Sequence, residues 1–134
     1  MILSFSITSR LAALVGIPDP LLTGIKSVSR RNWSEKYAAK WAKVYYEGQR
    51  GEAWSALPFV PGAKKLGTFE LLCPPYQEAL KDMPDCDVFC EGNLWRDKQH
   101  FIDQIGNGNP EQILWVIRWH NFVIDDVSKK TYIV

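Results

Sequence analysis

Lysine, arginine and serine gather in one short stretch of the chain, Gly24-Ile25-Lys26-Ser27-Val28-Ser29-Arg30-Arg31-Asn32-Trp33. Its three cations and two hydroxyls are groups that hold a phosphate or a carboxylate. Read as a strand, it turns Lys26, Val28 and Arg30 to one side and Ser27, Ser29 and Arg31 to the other. Neither side is a clean apolar face, so burial alone does not account for it. Two readings fit: an anion-facing wall, or a solvated edge strand whose charges discourage association between sheets. Arg30 and Arg31 stay protonated and suit binding rather than proton transfer. Trp33, Trp54 and Tyr76 are candidates to stack on a base.

Other chemistry finds less support. Cys73, Cys86 and Cys90 lack the spacing of a zinc knuckle or a C-x-x-C pair, and His100 and His120 stand far apart. Cys86 and Cys90 are expected to pack as small apolar groups. The sequence contains no P-loop, no G-x-G-x-x-G and no G-x-S-x-G. The expectation is no metal and no cofactor.

The elements that must position these residues follow from periodicity and breakers. Met1 to Ile7 reads as a strand, and Leu11 to Val15 as one or two helical turns stopped by Gly16. Thr23-Gly24 turns into the cationic strand. Asn32 or Ser34 caps a helix from Glu35 to Glu47, with Tyr37, Ala38, Trp41, Val44 and Tyr45 on one face. Lys36, Lys40 and Lys43 form a separate stripe, read either as a solvated face or as a phosphate-tracking rail. Gln49 to Lys65 reads as a loop with Trp54, Leu57 and Phe59 tucked inward. Lys65 to Cys73 is a predicted strand, and Tyr76 to Met83 a short helix or turn. Pro84-Asp85 opens a helix that ends near Glu91, before Gly92. Asp97 to Ile105 is a further helix. Ile113 to Ile124 is a long central strand bending near His120-Asn121, and Thr131 to Val134 adds an edge strand. Strands interspersed with short helices, without regular β-α-β alternation, predict a single α+β domain over residues 1–134, built on a small barrel.

Composition agrees with an ordinary globular domain, at 46% hydrophobic and 23% charged residues. Six tryptophans exceed what a core of this size asks for. Net charge is +1, but residues 1–65 carry +6 and residues 66–134 carry −5. That split implies a bipolar surface only if the halves stay apart in space. Arg10, Pro18, Asp19 and Pro20 break the early apolar run, and no segment approaches the ~20 apolar residues of a membrane helix. A cytoplasmic protein with reduced thiols is expected, with no membrane partner.

Gly24-Ile25-Lys26-Ser27-Val28-Ser29-Arg30-Arg31 resembles the G-x-K-[ST]-x-[ST]-x-R signature of ASCH domains, small barrels similar to the PUA fold. Leu3-Ser4-Phe5, the segment Gly62 to Leu72, Cys90-Glu91-Gly92 (similar to the family's A-E-G), Phe101-Ile102 and Leu114 to Trp119 agree in order. The resemblance covers most of the chain. It implies an α+β, PUA-like mixed β-barrel with short helices around it, and a cleft holding Lys26, Ser29, Arg31 and Glu91. It implies binding of RNA or a modified nucleoside, with Arg30, Arg31, Trp33, Lys36, Lys40 and Lys43 as contact candidates. It also implies an alternative, because the family includes amidohydrolases acting on 4-acetylcytidine. Their functional lysine, threonine and glutamate correspond to Lys26, Ser29 and Glu91, with serine replacing threonine. A lysine desolvated enough to lose its proton would activate the hydroxyl toward an amide carbonyl, and Glu91 would orient it or shuttle a proton to the leaving nitrogen. A small ribonuclease, with Lys26 and a neighbouring Tyr or Ser as acid and base, is the third implied activity. Lys26 and Ser29 are an odd number apart, so they meet only if the strand bends near Gly24 or Lys26.

Overall fold

The computed structural model describes residues 1–125, so the expected strand Thr131–Val134 lies outside the described residues. The chain is a mixed α+β domain whose sheet curls into a half-barrel. Its strands are β1 (Ile2–Ser4), β2 (Val28–Arg31), β3 (Arg50–Trp54), β4 (Lys65–Leu71), β5 (Tyr76–Ala79) and β6 (Ile113–Ile124). Around them lie α1 (Ser6–Val15), α2 (Glu35–Tyr46), α3 (Asp87–Cys90) and α4 (Lys98–Ile105), with a 3-10 turn at Leu80–Asp82. No helix among the described residues is long and apolar enough to cross a membrane.

β6 organises the sheet. The strand path runs β1-β3-β4-β6-β2, and β5 also pairs with β6. Only β1 and β3 run parallel; the other pairs are antiparallel. β2 covers Trp115 to Arg118 along one edge of β6, while β5 and then β4 follow each other along the opposite edge. Alternation sends Ile117 and Trp119 into one apolar cluster, with Leu3, Phe5, Trp41 and Phe69, and Leu114 into another, with Leu80, Trp95 and Phe101. A core on each face explains why β6 reads as a near-continuous apolar run. Its bend falls at Asn121, which takes φ 51°, next to a register shift opposite Thr68–Glu70.

Several expectations need correction. The first strand stops at Ser4, and Ile7 belongs to α1, because Thr8 and Ala12 are buried four residues apart on one helical face. Arg50–Trp54 is a strand, not a loop. Its inward positions are Gly51 and Ala53, too small to announce a buried face. The glycine is required: a Cβ there would lie 2.6 Å from the Phe69 ring and 2.8 Å from that of Trp41. Tyr76–Ala79 is likewise a strand, held by β6, with the turn only at Leu80–Asp82. Leu57 and Phe59 are exposed rather than tucked in, Phe59 at 81%. Cys86 is also exposed, so it does not pack as a core residue. The cationic strand contracts to Val28–Arg31, leaving Lys26 in the segment before it.

The two ends of the strand path matter most for the site. β1 and β2 are the outermost strands, and no ladder joins them among the described residues. The curl brings them together through a side chain instead: Arg31 Nη2 donates to Ser4 O at 2.6 Å.

Candidate functional site

A cavity of about 150 Å³ lies at this seam, lined by Ser4 to Thr8, by Lys26, Ser29, Arg30 and Arg31, by Glu91, and by Trp95, Phe101 and Ile105. Lys26 lies ahead of β2, so the strand's alternation does not fix its direction, and Lys26 and Ser29 both line the cavity.

Lys26 arrives ahead of the strand, its N–H donating to Pro20 O at 2.9 Å. The next residue fixes the partner element: Ser27 N–H donates to Cys90 O at 2.8 Å and clamps the end of α3 onto β2. Glu91, the C-cap of α3, is thereby set against Lys26. Lys26 is 3% exposed, and its Nζ donates to Val28 O at 2.9 Å, Glu91 O at 2.8 Å and Glu91 Oε1 at 3.2 Å. The ammonium thus caps a helix-end carbonyl, which offsets the unfavourable placing of a carboxylate at that end. Burial pulls the Lys26 pKa below its ordinary value; Glu91 pulls it up, and Arg31 and Arg30 reinforce the fall.

Arg30 is expected as a ligand contact, but carboxylates occupy most of it. Nη1 donates to Glu91 Oε2 at 2.9 Å, and Nη2 reaches Glu78 Oε1 at 2.8 Å and Asp87 Oδ2. Asp87 also takes two bonds from Arg118, whose Nε donates to the Tyr76 hydroxyl at 2.8 Å. This buried lattice orients Glu91 and holds β2, β5, β6 and α3 together. The Arg118 pKa is raised, chiefly by its hydrogen bond to Asp87.

Arg31 is different. Its Nε donates to Ser29 Oγ at 2.9 Å, its Nη2 to Ser4 O, and its guanidinium carbon lies 5.4 Å from the centre of the Phe5 ring. Among the described residues no carboxylate lies within ion-pair distance of it, and no protein acceptor takes Nη1. Ser29, 4% exposed, accepts from Arg31 and makes no bond to Lys26.

The structure thus brings Lys26, Ser29, Arg30, Arg31 and Glu91 to one cavity and leaves the other candidates outside it. Trp33 stacks on Trp41 at 6.0 Å and meets Tyr37 edge-on, as part of the α2 packing. Lys36, Lys40 and Lys43 are exposed on α2, and Lys43 lies 3.7 Å from Glu47. Trp54 donates to Glu52, and Tyr76 accepts from Arg118. The aromatic walls are instead Phe5, Trp95 and Phe101, the last two in edge contact at 4.7 Å. Nothing in the local spacing of Trp95 marks it; only the packing of α4 against the half-barrel turns it inward. Asp87, in the ion-pair network behind the cavity wall, is an acidic first-turn residue of the helix that ends at Glu91.

Compared with protein-family models, curated proteins and solved structures, the chain matches none.

Proposed function

We propose that the chain binds the base of a modified nucleoside, free or within RNA, in an ASCH-type cleft of a PUA-like half-barrel. The observation that carries this reading is the cavity at the seam. At about 150 Å³ it is the size that admits one benzene-like ring in a protein interior. Its walls combine Phe5, Trp95 and Phe101 with the polar groups of Lys26, Ser29, Arg31 and Glu91. Aromatic faces suit a heterocycle, and fixed donors and acceptors suit its edge.

A second reading, deacylation of a 4-acetylcytidine-like nucleoside, draws on one observation: Lys26 is buried with its pKa lowered, the condition for a lysine base near neutral pH. In that reaction Lys26 takes the proton of Ser29 Oγ as the oxygen attacks the amide carbonyl. The proton then passes to the leaving amine, and water cleaves the resulting ester. Binding ranks first because the contacts of Lys26 Nζ all go to Val28 and Glu91, and none to Ser29.

The test is calorimetric titration with 4-acetylcytidine and cytidine, alongside an assay for cytidine release. A binder loses one hydrogen bond in Ser29→Ala, about 0.5–1.5 kcal/mol, and keeps most of its affinity. A hydrolase loses all turnover in both Ser29→Ala and Lys26→Met, keeps it in Ser29→Thr, and gains rate as pH rises through the lowered lysine pKa. Absence of binding to either nucleoside and to RNA, with no cytidine released, refutes both readings.

A further inference from the structure

α1 starts at the cavity wall, and its first turn is bare. The N-cap is Phe5, whose side chain offers no acceptor, and no acidic residue stands in the first turn of this 10-residue helix. The first amide with a helical acceptor is that of Ser9, on Phe5 O at 3.1 Å. Those of Ser6, Ile7 and Thr8 donate to no protein group among the described residues, and all three residues line the cavity. This is the positive end of the helix.

A cation lines the same cavity. Arg31 is tied to Ser4 O, two residues before the helix, and rests over the Phe5 ring, with Nη1 unclaimed. Arg30 lines the same cavity but is only 6% exposed, and its guanidinium is committed to Glu78, Asp87 and Glu91. Lys26 and Arg30 share the carboxylate of Glu91, and Arg30 is paired further with Glu78 and Asp87, which leaves Arg31 as the lining cation with no ion-pair partner among the described residues. A helix's positive end and a guanidinium that line one cavity both favour an anion in the space they share. Nothing in the protein supplies that anion among the described residues.

We propose that the first-turn amides of α1, with the guanidinium of Arg31, form an oxyanion subsite inside the cavity, so that the ligand carries a carboxylate or phosphate group beside its ring. The ring rests on the nucleoside reading above; the oxyanion does not. Carboxylate and phosphate share the chemistry this subsite recognises, planar or tetrahedral oxygens meeting several N–H donors.

Two measurements test this. In the first, the melting temperature of the native chain is followed with inorganic phosphate and with acetate, each against chloride at matched ionic strength. A saturable rise with either anion supports the subsite. No rise beyond chloride overturns it, whatever nucleosides do. The variant is Ser6→Glu at an exposed first-turn position, where a carboxylate complements the helix end. It should melt higher than the parent and lose the anion-dependent rise; a rise of undiminished size in Ser6→Glu also overturns the proposal.

The second measurement titrates cytidine, cytidine 5′-monophosphate and 5-carboxycytidine. Affinity at least tenfold tighter for the monophosphate identifies a phosphate, and for 5-carboxycytidine a carboxylate. Equal affinity for all three rejects an anionic ligand and leaves the nucleoside reading standing. An anion-dependent rise without binding of any nucleoside upholds the subsite and rejects the ring.

Discussion

Asp87 accepts hydrogen bonds from two guanidiniums, Arg30 and Arg118, while being only 2% exposed. Burial pushes its carboxyl up, but the bonds from Arg118 and Arg30 outweigh burial and hold the group below its ordinary value of 3.8. Its contribution to stability is therefore present above that value and lost as pH falls below it. Asp87→Asn leaves two guanidiniums short of a charge and should cost about 3–5 kcal/mol at pH 7. Urea unfolding at pH 7 and pH 3 checks this: the deficit should shrink in acid, and an equal deficit at both would contradict it. Lys26 titrates with the opposite consequence at the other end of the scale. Its folded pKa lies below 10.5, so between the two values the unfolded chain holds more protons and the Lys26 contribution improves as pH rises. Lys26→Met should remove that part of the alkaline slope. The order of motifs made Lys26, Arg31 and Glu91 legible as partners. It gives no sign that carboxylates occupy most of Arg30, because they come from β5 and from α3 and its C-cap, whose placement no local pattern encodes.

Elements with large inward residues were the legible ones. α2 declares itself through Trp41 and Val44 and through Ser34, whose Oγ accepts from Tyr37 N–H at 3.1 Å. β6 does so through its long apolar run. β3 hides because it presents Gly51 and Ala53 to the core, and the bulk that fills the space belongs to Trp41 and Phe69, 5.9 Å apart and stacked. The same packing makes Gly51→Ala a sharp test of the element. An added methyl meets ring carbons of both aromatics below 3 Å, so the rings must shift, at about 1–3 kcal/mol. Chemical denaturation should show that loss together with a changed near-ultraviolet aromatic signal. An unchanged midpoint would mean that α2 does not press on β3 as described. The start of α1 hides for a related reason: Leu3, Phe5 and Ile7 alternate with Ser4 and Ser6 as a strand would, and only the burial of Thr8 and Ala12 reveals the helical period.

Across the whole molecule, the split between a basic first half and an acidic second half is partly consumed inside the fold. Lys26 and Arg30 from the first half meet Glu78, Asp87 and Glu91 from the second, so less of the asymmetry reaches the surface than the sequence implies. Among the described residues the sheet that brings these halves together stops short of closing, and an Arg31 hydrogen bond spans β1 and β2. A barrel left open by one joint treats whatever fits the joint as a structural part. Occupancy of the cavity should then be readable as heat resistance: a ligand at a hundred times its Kd adds about 2.7 kcal/mol to unfolding. Amide exchange should slow at Ser4–Phe5 and Val28–Arg31, on both lips of the gap, before it slows anywhere else. The ligand would act as the keystone of the arch, and screening small molecules for the one that most delays melting becomes a direct way to find it.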